Sequence, residues 1–221
     1  MTRTTNARLA GATFLLYIAT AAGASLLFSR AARGEGIAAQ LASIAKHTTL
    51  VRLSILLVLL TFVVAVSLAV ALYGLTRDED RDLAVLALSC RVAESALGAF
   101  PVGVVGMLWL ATDGAVTGAD PAVVNALAAL LLKVGAWKTL VGATCFAVGS
   151  TLFSYLFLRA RSIPAPLAWL GVAGSLLLVV GLPLRLAGLL GGPAVYLMWI
   201  PVAVFEVTLA VWLLTKGVAA R

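Results

Sequence analysis

The chain has 221 residues, of which 62% are hydrophobic and 11% charged, and it carries a net charge of +7. Its mean hydropathy is +1.10. A soluble domain is roughly 45–50% apolar and about 25% charged, so this composition excludes an ordinary soluble globular domain, a disordered chain, a coiled coil and a nucleic-acid binder.

About 137 apolar residues would fill about six membrane spans of roughly 20 residues each. The expected fold is an all-α polytopic membrane protein: six transmembrane helices forming a single bundle domain over residues 1–221. Basic residues flanking helices explain the positive charge in such a protein. Cys90 and Cys145 lie in apolar runs, where thiols act as small hydrophobes. His47 is the sole histidine, which counts against zinc and haem sites that need several imidazoles. No metal and no cofactor is expected.

The first apolar run, about Leu9 to Phe28, is longer than a signal-peptide core of roughly 7–15 residues and reads as a span. Residues 29–48 form the longest polar connection. Ile37, Leu41 and Ile44 recur there at helical spacing, predicting a short interfacial amphipathic helix. The second span runs from about Leu50 to Leu75. The turn Arg77-Asp78-Glu79-Asp80-Arg81-Asp82 follows; it offers an N-cap but lacks the glycine turn and distal Glu of a calcium loop.

The third span is about Leu83 to Thr112, with Arg91, Glu94 and Pro101 inside it. Asp113 to Asp120 forms an outer loop, and Asp120-Pro121 is an N-cap followed by Pro at the first helical position. Residues 121–158 exceed one straight span. They read either as a protruding helix or, the favoured reading, as an interfacial helix over 121–133 and a fourth span over 136–158. Lys133, Gly135, Trp137 and Lys138 would mark the break, since Trp and Lys favour interfaces. The fifth span is about Leu167 to Leu190, with Pro183 and Arg185. The sixth is about Ala194 to Thr215, with Pro201 and Glu206.

With the N-terminus inside, the inner segments hold Arg3, Arg8, Arg77, Arg81, Arg159, Arg161, Lys216 and Arg221. The first outer loop holds Arg30, Arg33 and Lys46, and the later outer loops hold none. The positive-inside rule therefore places both termini in the cytoplasm.

A charge inside a span costs at least about 2.5–3.5 kcal/mol and usually faces the bundle interior. At 1.5 Å per residue, Arg91, Glu94 and Glu206 lie roughly 12, 17 and 15 Å deep. They share one level, and Arg91 and Glu94 share a helical face at i,i+3. Arg91 is expected to pair with one acid, leaving the other protonated or hydrogen-bonded. The alternatives are a ligand-binding site and a structural ion pair. A second group, Arg52, Lys133, Lys138, Arg185 and His47, lies toward the outer face. It reads as snorkelling cations or as a cationic mouth for an anionic headgroup, opposed only by Asp113 and Asp120. Gly103-x-x-Gly106, Gly142, Gly149 and Gly171-x-x-Gly174 mark close helix approaches. The serines of the spans are expected to bond the preceding turn.

Several segments carry a family resemblance. They are Asn6-Ala7-Arg8-Leu9-Ala10-Gly11, the stretch Ile44 to Arg52, Cys90-Arg91-Val92-Ala93-Glu94, Arg161 to Pro166, and Glu206 ahead of Trp212-Leu213-Leu214-Thr215-Lys216-Gly217. In this order they resemble the bacterial integral membrane family named domain of unknown function 4386. Cys90 stands where a Phe is expected before the arginine. The resemblance implies six spans and a set of one Arg and two Glu at Arg91, Glu94 and Glu206; it implies no activity. With the Ala-, Gly- and Arg-rich composition, it places the chain as a multi-pass protein of the bacterial cytoplasmic (inner) membrane.

The leading functional reading is binding of a small or lipid-like, anionic ligand between the helices, for transport or sensing. The alternative is a structural or accessory subunit that docks another membrane protein. An intramembrane lipid-modifying enzyme ranks last, because the spans lack a nucleophile with a base, a metal shell and a histidine. The partners are the bilayer and either such a ligand or a membrane protein, not nucleic acid.

Overall fold

The computed structural model describes residues 3–112 and 118–218. Asp113 and Arg221 lie outside that range. Regular structure among the described residues is helical: α1 (Arg3–Ala31), α2 (Ile37–Lys46), α3 (Thr48–Thr76), α4 (Arg81–Ala99), α5 (Val102–Thr112), α6 (Pro121–Arg159), α7 (Ala165–Leu186), α8 (Ala194–Leu197) and α9 (Ile200–Thr215). Six stretches are long and apolar enough to cross a membrane, with α4–α5 and α8–α9 each counting as one. Leu56, Val63, Leu130, Trp169 and Val180 are more than half exposed. In water so much exposed apolar surface would drive association; against lipid it is the expected outer face. The protein is a multi-pass membrane protein.

The expected break near residues 133–138 does not occur. α6 is one continuous helix of 39 residues, so there is no separate interfacial helix over 121–133. Gly135 costs only about 1 kcal/mol in a helix interior, and no proline interrupts the run to force a break. Asp120 caps the start, its Oδ1 accepting from the Ala122 amide at 2.9 Å. Prolines do break the neighbouring spans. α4 ends at Ala99 and α5 begins at Val102, on either side of Phe100-Pro101, and the sixth span is interrupted between α8 and α9, just before Pro201. α7 stops at Leu186, before the expected Leu190. Gly188, at φ +76°, closes it with a Schellman turn in which the Leu189 amide donates to the Leu184 carbonyl at 2.9 Å.

The chain divides into two compact units. The first holds residues 1–17, 63–97 and 140–221. Its core joins Phe14, Leu68, Phe157, Phe205, Leu209 and Leu213, with a further cluster around Phe146, Leu178 and Val202. An added Cβ on Gly74 would fall 2.8 Å from the Asn6 Nδ2, and one on Gly217 3.9 Å from the Ala7 Cβ. Arg159 pairs with Glu79 at 3.1 Å and Asp80 at 3.3 Å. These contacts gather Arg3, Arg8, Arg77, Arg81, Arg159, Arg161 and Lys216 at one end of this unit.

The second unit holds residues 18–62 and 98–139. Here α2 has the predicted amphipathic stripe, but Leu41 and Ile44 are buried with Met107 and Leu110 of α5 and Val51 of α3. Its apolar face is covered by protein.

Small residues set the helix spacing. A Cβ on Gly11 would lie 2.7 Å from the Ala210 carbonyl oxygen and 2.8 Å from the Leu214 amide. α1 and α9 therefore meet backbone to backbone. Gly11→Val should force them apart and cost roughly 1–3 kcal/mol. Gly98→Ala, where an added Cβ meets nothing within 4 Å, should be neutral or stabilising by up to about 1 kcal/mol. Thermal unfolding of both variants in one detergent measures the contrast.

Candidate functional site

The level shared by the three intramembrane charges is a real meeting point within the first unit. α4 supplies Arg91 and Glu94 one turn apart. The guanidinium Nη1 lies 3.2 Å from the Glu94 Oε2. That contact has ion-pair distance without hydrogen-bond geometry, so Oε2 and the Arg91 Nη2 both lack a hydrogen-bond partner. α1 reaches in with Tyr17, whose hydroxyl donates to the Glu94 Oε1 at 3.0 Å. α6 contributes Phe146: the Arg91 Cζ sits 4.6 Å from its ring centroid and 5.6 Å from that of Tyr17. Both contacts are within cation–π range, and such contacts strengthen when desolvated.

Arg91 is only 2% exposed, and a small residue makes this burial possible. A Cβ on Gly149 would come within 3.0 Å of the Arg91 Cγ and 3.1 Å of the Ala87 carbonyl oxygen. α6 therefore passes close over α4 where the arginine stem turns inward. Glu206 on α9 is 8% exposed and lines the same cavity as Arg91, together with Ser150 and Ser154 of α6 and the rings of Phe14, Phe153 and Phe205. The Glu206 Oε1 and the Ser154 Oγ have no hydrogen-bond partner. The free volume is about 10 Å³, at the lower limit of roughly 10–15 Å³ for one water.

The structure thus brings together the three charged residues singled out in the sequence. It adds Tyr17 and Phe146, which the sequence reading missed, and Ser154, a span serine whose hydroxyl does not make the expected bond to the preceding turn. Tyr17 carried a usable signal: it sits halfway along α1, whereas tyrosines favour the membrane interfaces. A hydroxyl at that depth needs a partner. Ser150 and Ser154 are spaced i,i+4 and so share a face. Ser95, beside Glu94, donates back to the Arg91 carbonyl at 2.7 Å, as expected of a span serine. Among the described residues no three His, Cys, Asp or Glu side chains gather as a metal site would require.

The second predicted group falls in both units. His47, Arg52 and Lys133 are exposed residues of the second unit, and Arg185 is an exposed residue of the first. Lys138 has a local task, its Nζ donating to the Phe100 carbonyl oxygen where the Pro101 break interrupts the helix.

The Tyr17–Glu94 contact is testable alone. Tyr17→Phe should destabilise the protein by about 1.5–3 kcal/mol, the range for a hydrogen bond to a charged group. The loss should shrink when the same change is made in Glu94→Gln. A double-mutant cycle by chemical unfolding in detergent gives the coupling.

No curated protein and no solved structure matches this chain. The family described as domain of unknown function, DUF4386, matches residues 9–217. Arg91, Glu94 and Glu206 all fall inside that match, and the chain belongs to this family.

Proposed function

We propose that the buried centre binds a small positively charged ligand, a proton or an inorganic cation, as the working site of a transporter or sensor. The protein would reside in the bacterial cytoplasmic membrane with both termini in the cytoplasm. One observation carries the reading. A single guanidinium stands against two carboxyl groups, and Arg91, Glu206 and Ser154 each keep an unpaired polar atom at one cavity. A lock between helices is complete with one acid per arginine and closed hydrogen bonds. This set has an acid to spare, so its complement is a cation.

The cavity's size narrows the ligand further. Space for one water does not admit an acyl chain, so the lipid-like ligand is disfavoured at this centre. An anion is disfavoured by charge. The helix interruptions fit a site that moves. α4 ends within roughly two turns of Glu94, and α9 begins within roughly two turns of Glu206. Interrupted helices beside intramembrane acids are how many transporters frame an ion site.

Glu206→Gln separates this reading from the structural one, because it leaves a one-to-one pair. Wild type and variant are melted in detergent in choline, sodium and potassium chloride, in acidic and alkaline buffer. A bound cation at 100 times its Kd stabilises by about 2.7 kcal/mol. The wild-type midpoint should therefore rise with proton or cation activity. The variant should melt no lower than wild type in choline at alkaline pH and lose that added dependence. A variant that melts lower everywhere, beside a wild type indifferent to every cation, would overturn the proposal and favour a structural or accessory subunit.

A further inference from the structure

The cationic end of the first unit contains a groove that the buried centre does not explain. It is lined by Arg161, Ser162, Pro164, Trp212, Lys216 and Val218, among others, and has a volume of about 350 Å³. It lies where α6 and α9 end and α7 begins, which is the end of three membrane spans. Two of the arginines at this end have acids beside them. Arg159 is held by Glu79 and Asp80, and Arg77 lies 3.8 Å from Asp78. Arg161 and Lys216 are exposed and have no acid within ion-pair distance among the described residues.

The backbone at Arg161 adds an independent signal. α6 closes with a Schellman turn: the Arg161 amide donates to the Leu158 carbonyl at 3.1 Å and the Ser162 amide to the Phe157 carbonyl at 3.2 Å. The residue at its left-handed position is usually glycine. Here it is Arg161 at φ +49°, the sole non-glycine residue with positive φ among those described. The corresponding position after α9 is Gly217 at φ +72°. A side chain held in the left-handed region at a conformational cost points to a use for that side chain.

We infer that this groove binds the phosphate-bearing headgroup of an anionic phospholipid. Arg161 supplies a planar fork suited to phosphate oxygens, and Lys216 a second positive charge. The first turn of α7, which no side chain caps, opens beside them with the positive end of its dipole. Trp212, one turn inside Lys216, gives the groove the apolar and aromatic wall that membrane–water interfaces favour. That wall and the position at span ends favour a lipid over a free phosphate. The site lies at the opposite end of α7 from Arg185, so it is not the outer cationic mouth expected from sequence.

The test uses the full-length protein in phosphatidylcholine–detergent micelles titrated with phosphatidylglycerol. Bound lipid is counted by native mass spectrometry and the thermal midpoint is followed in parallel. Wild type should retain one phosphatidylglycerol and be stabilised by it. Arg161→Gly and Lys216→Gln should each weaken retention about fivefold, on the order of one basic residue's attraction to an anionic surface. Arg161→Gly suits the left-handed turn, so it should melt no lower than wild type in phosphatidylcholine alone; that separates lipid loss from misfolding. The charge-matched control Arg81→Gln should bind as wild type does. Retention unchanged in both groove variants, or lost equally in the control, would overturn the site. Displacement of the lipid by millimolar sodium phosphate would overturn the lipid assignment in favour of a free anion.

Discussion

An arginine buried inside a membrane span is the constraint around which the first unit is organised. The insertion cost of at least about 2.5–3.5 kcal/mol is a lower bound for a guanidinium 2% exposed. The surroundings offset it in three ways. Gly149 lets α6 approach closely enough to enclose the arginine stem. Phe146 and Tyr17 present ring faces to the guanidinium. Glu94 supplies the counter-charge from the same helix, one turn on. Because that acid is local, the ion pair needs no second helix to form. Tyr17 from α1 then ties a separate helix to it through Glu94.

This division of labour makes Glu206 informative. It does not complete the pairing of Arg91, which Glu94 already provides, and it is buried at a cavity where it leaves an oxygen unpaired. Low dielectric raises the cost of an unpaired polar atom. A residue with no pairing task in such a place is easier to understand as part of a site than as part of a lock. Gly171 leads to the same residues: a Cβ there would fall 2.5 Å from the Ser154 Oγ and 2.6 Å from the Phe205 ring. α7 thereby leaves room for the serine beside the cavity.

Much of this was legible in the sequence, for identifiable reasons. Helical rise alone put Arg91, Glu94 and Glu206 at one depth, because straight spans convert residue number into height. The interruptions beside Pro101 and Pro201 were not expected in spans read as continuous, and proline alone does not signal them, since Pro183 lies inside an unbroken α7. The small-residue pattern found Gly149 and Gly171 as sites of close approach. What escaped depended on azimuth and on cooperative length. Periodicity in an all-apolar helix does not say which way Tyr17 or Phe146 points, since lipid and core are equally greasy. Gly11 stands in a segment that carries the family resemblance, but nothing in that segment names α9 as its partner. The break expected at residues 133–138 failed because interfacial residues mark a depth, not an end. Lys133, Trp137 and Lys138 can sit at an interface while the backbone hydrogen bonds of α6 continue through them. The α2 stripe likewise specified an amphipathic helix without specifying whether lipid or α5 would cover it.

The helix ends show the same economy of charge as the buried centre. Schellman closures follow α6 and α7, and Gly217 takes the left-handed position after α9. Glycine fills that position after α7 and α9, where only the turn is required. After α6 it is Arg161, two residues beyond an arginine that Glu79 and Asp80 already neutralise. If the basic end served only the positive-inside preference, any position in the loop would suit a cation, and the left-handed one would be the least favourable choice. Placing an arginine without an ion-pair partner among the described residues there, in the groove that Lys216 and Trp212 also line, concentrates charge in a groove instead of spreading it over a surface. A local phosphate accounts for that arrangement; a diffuse field over the whole membrane face does not.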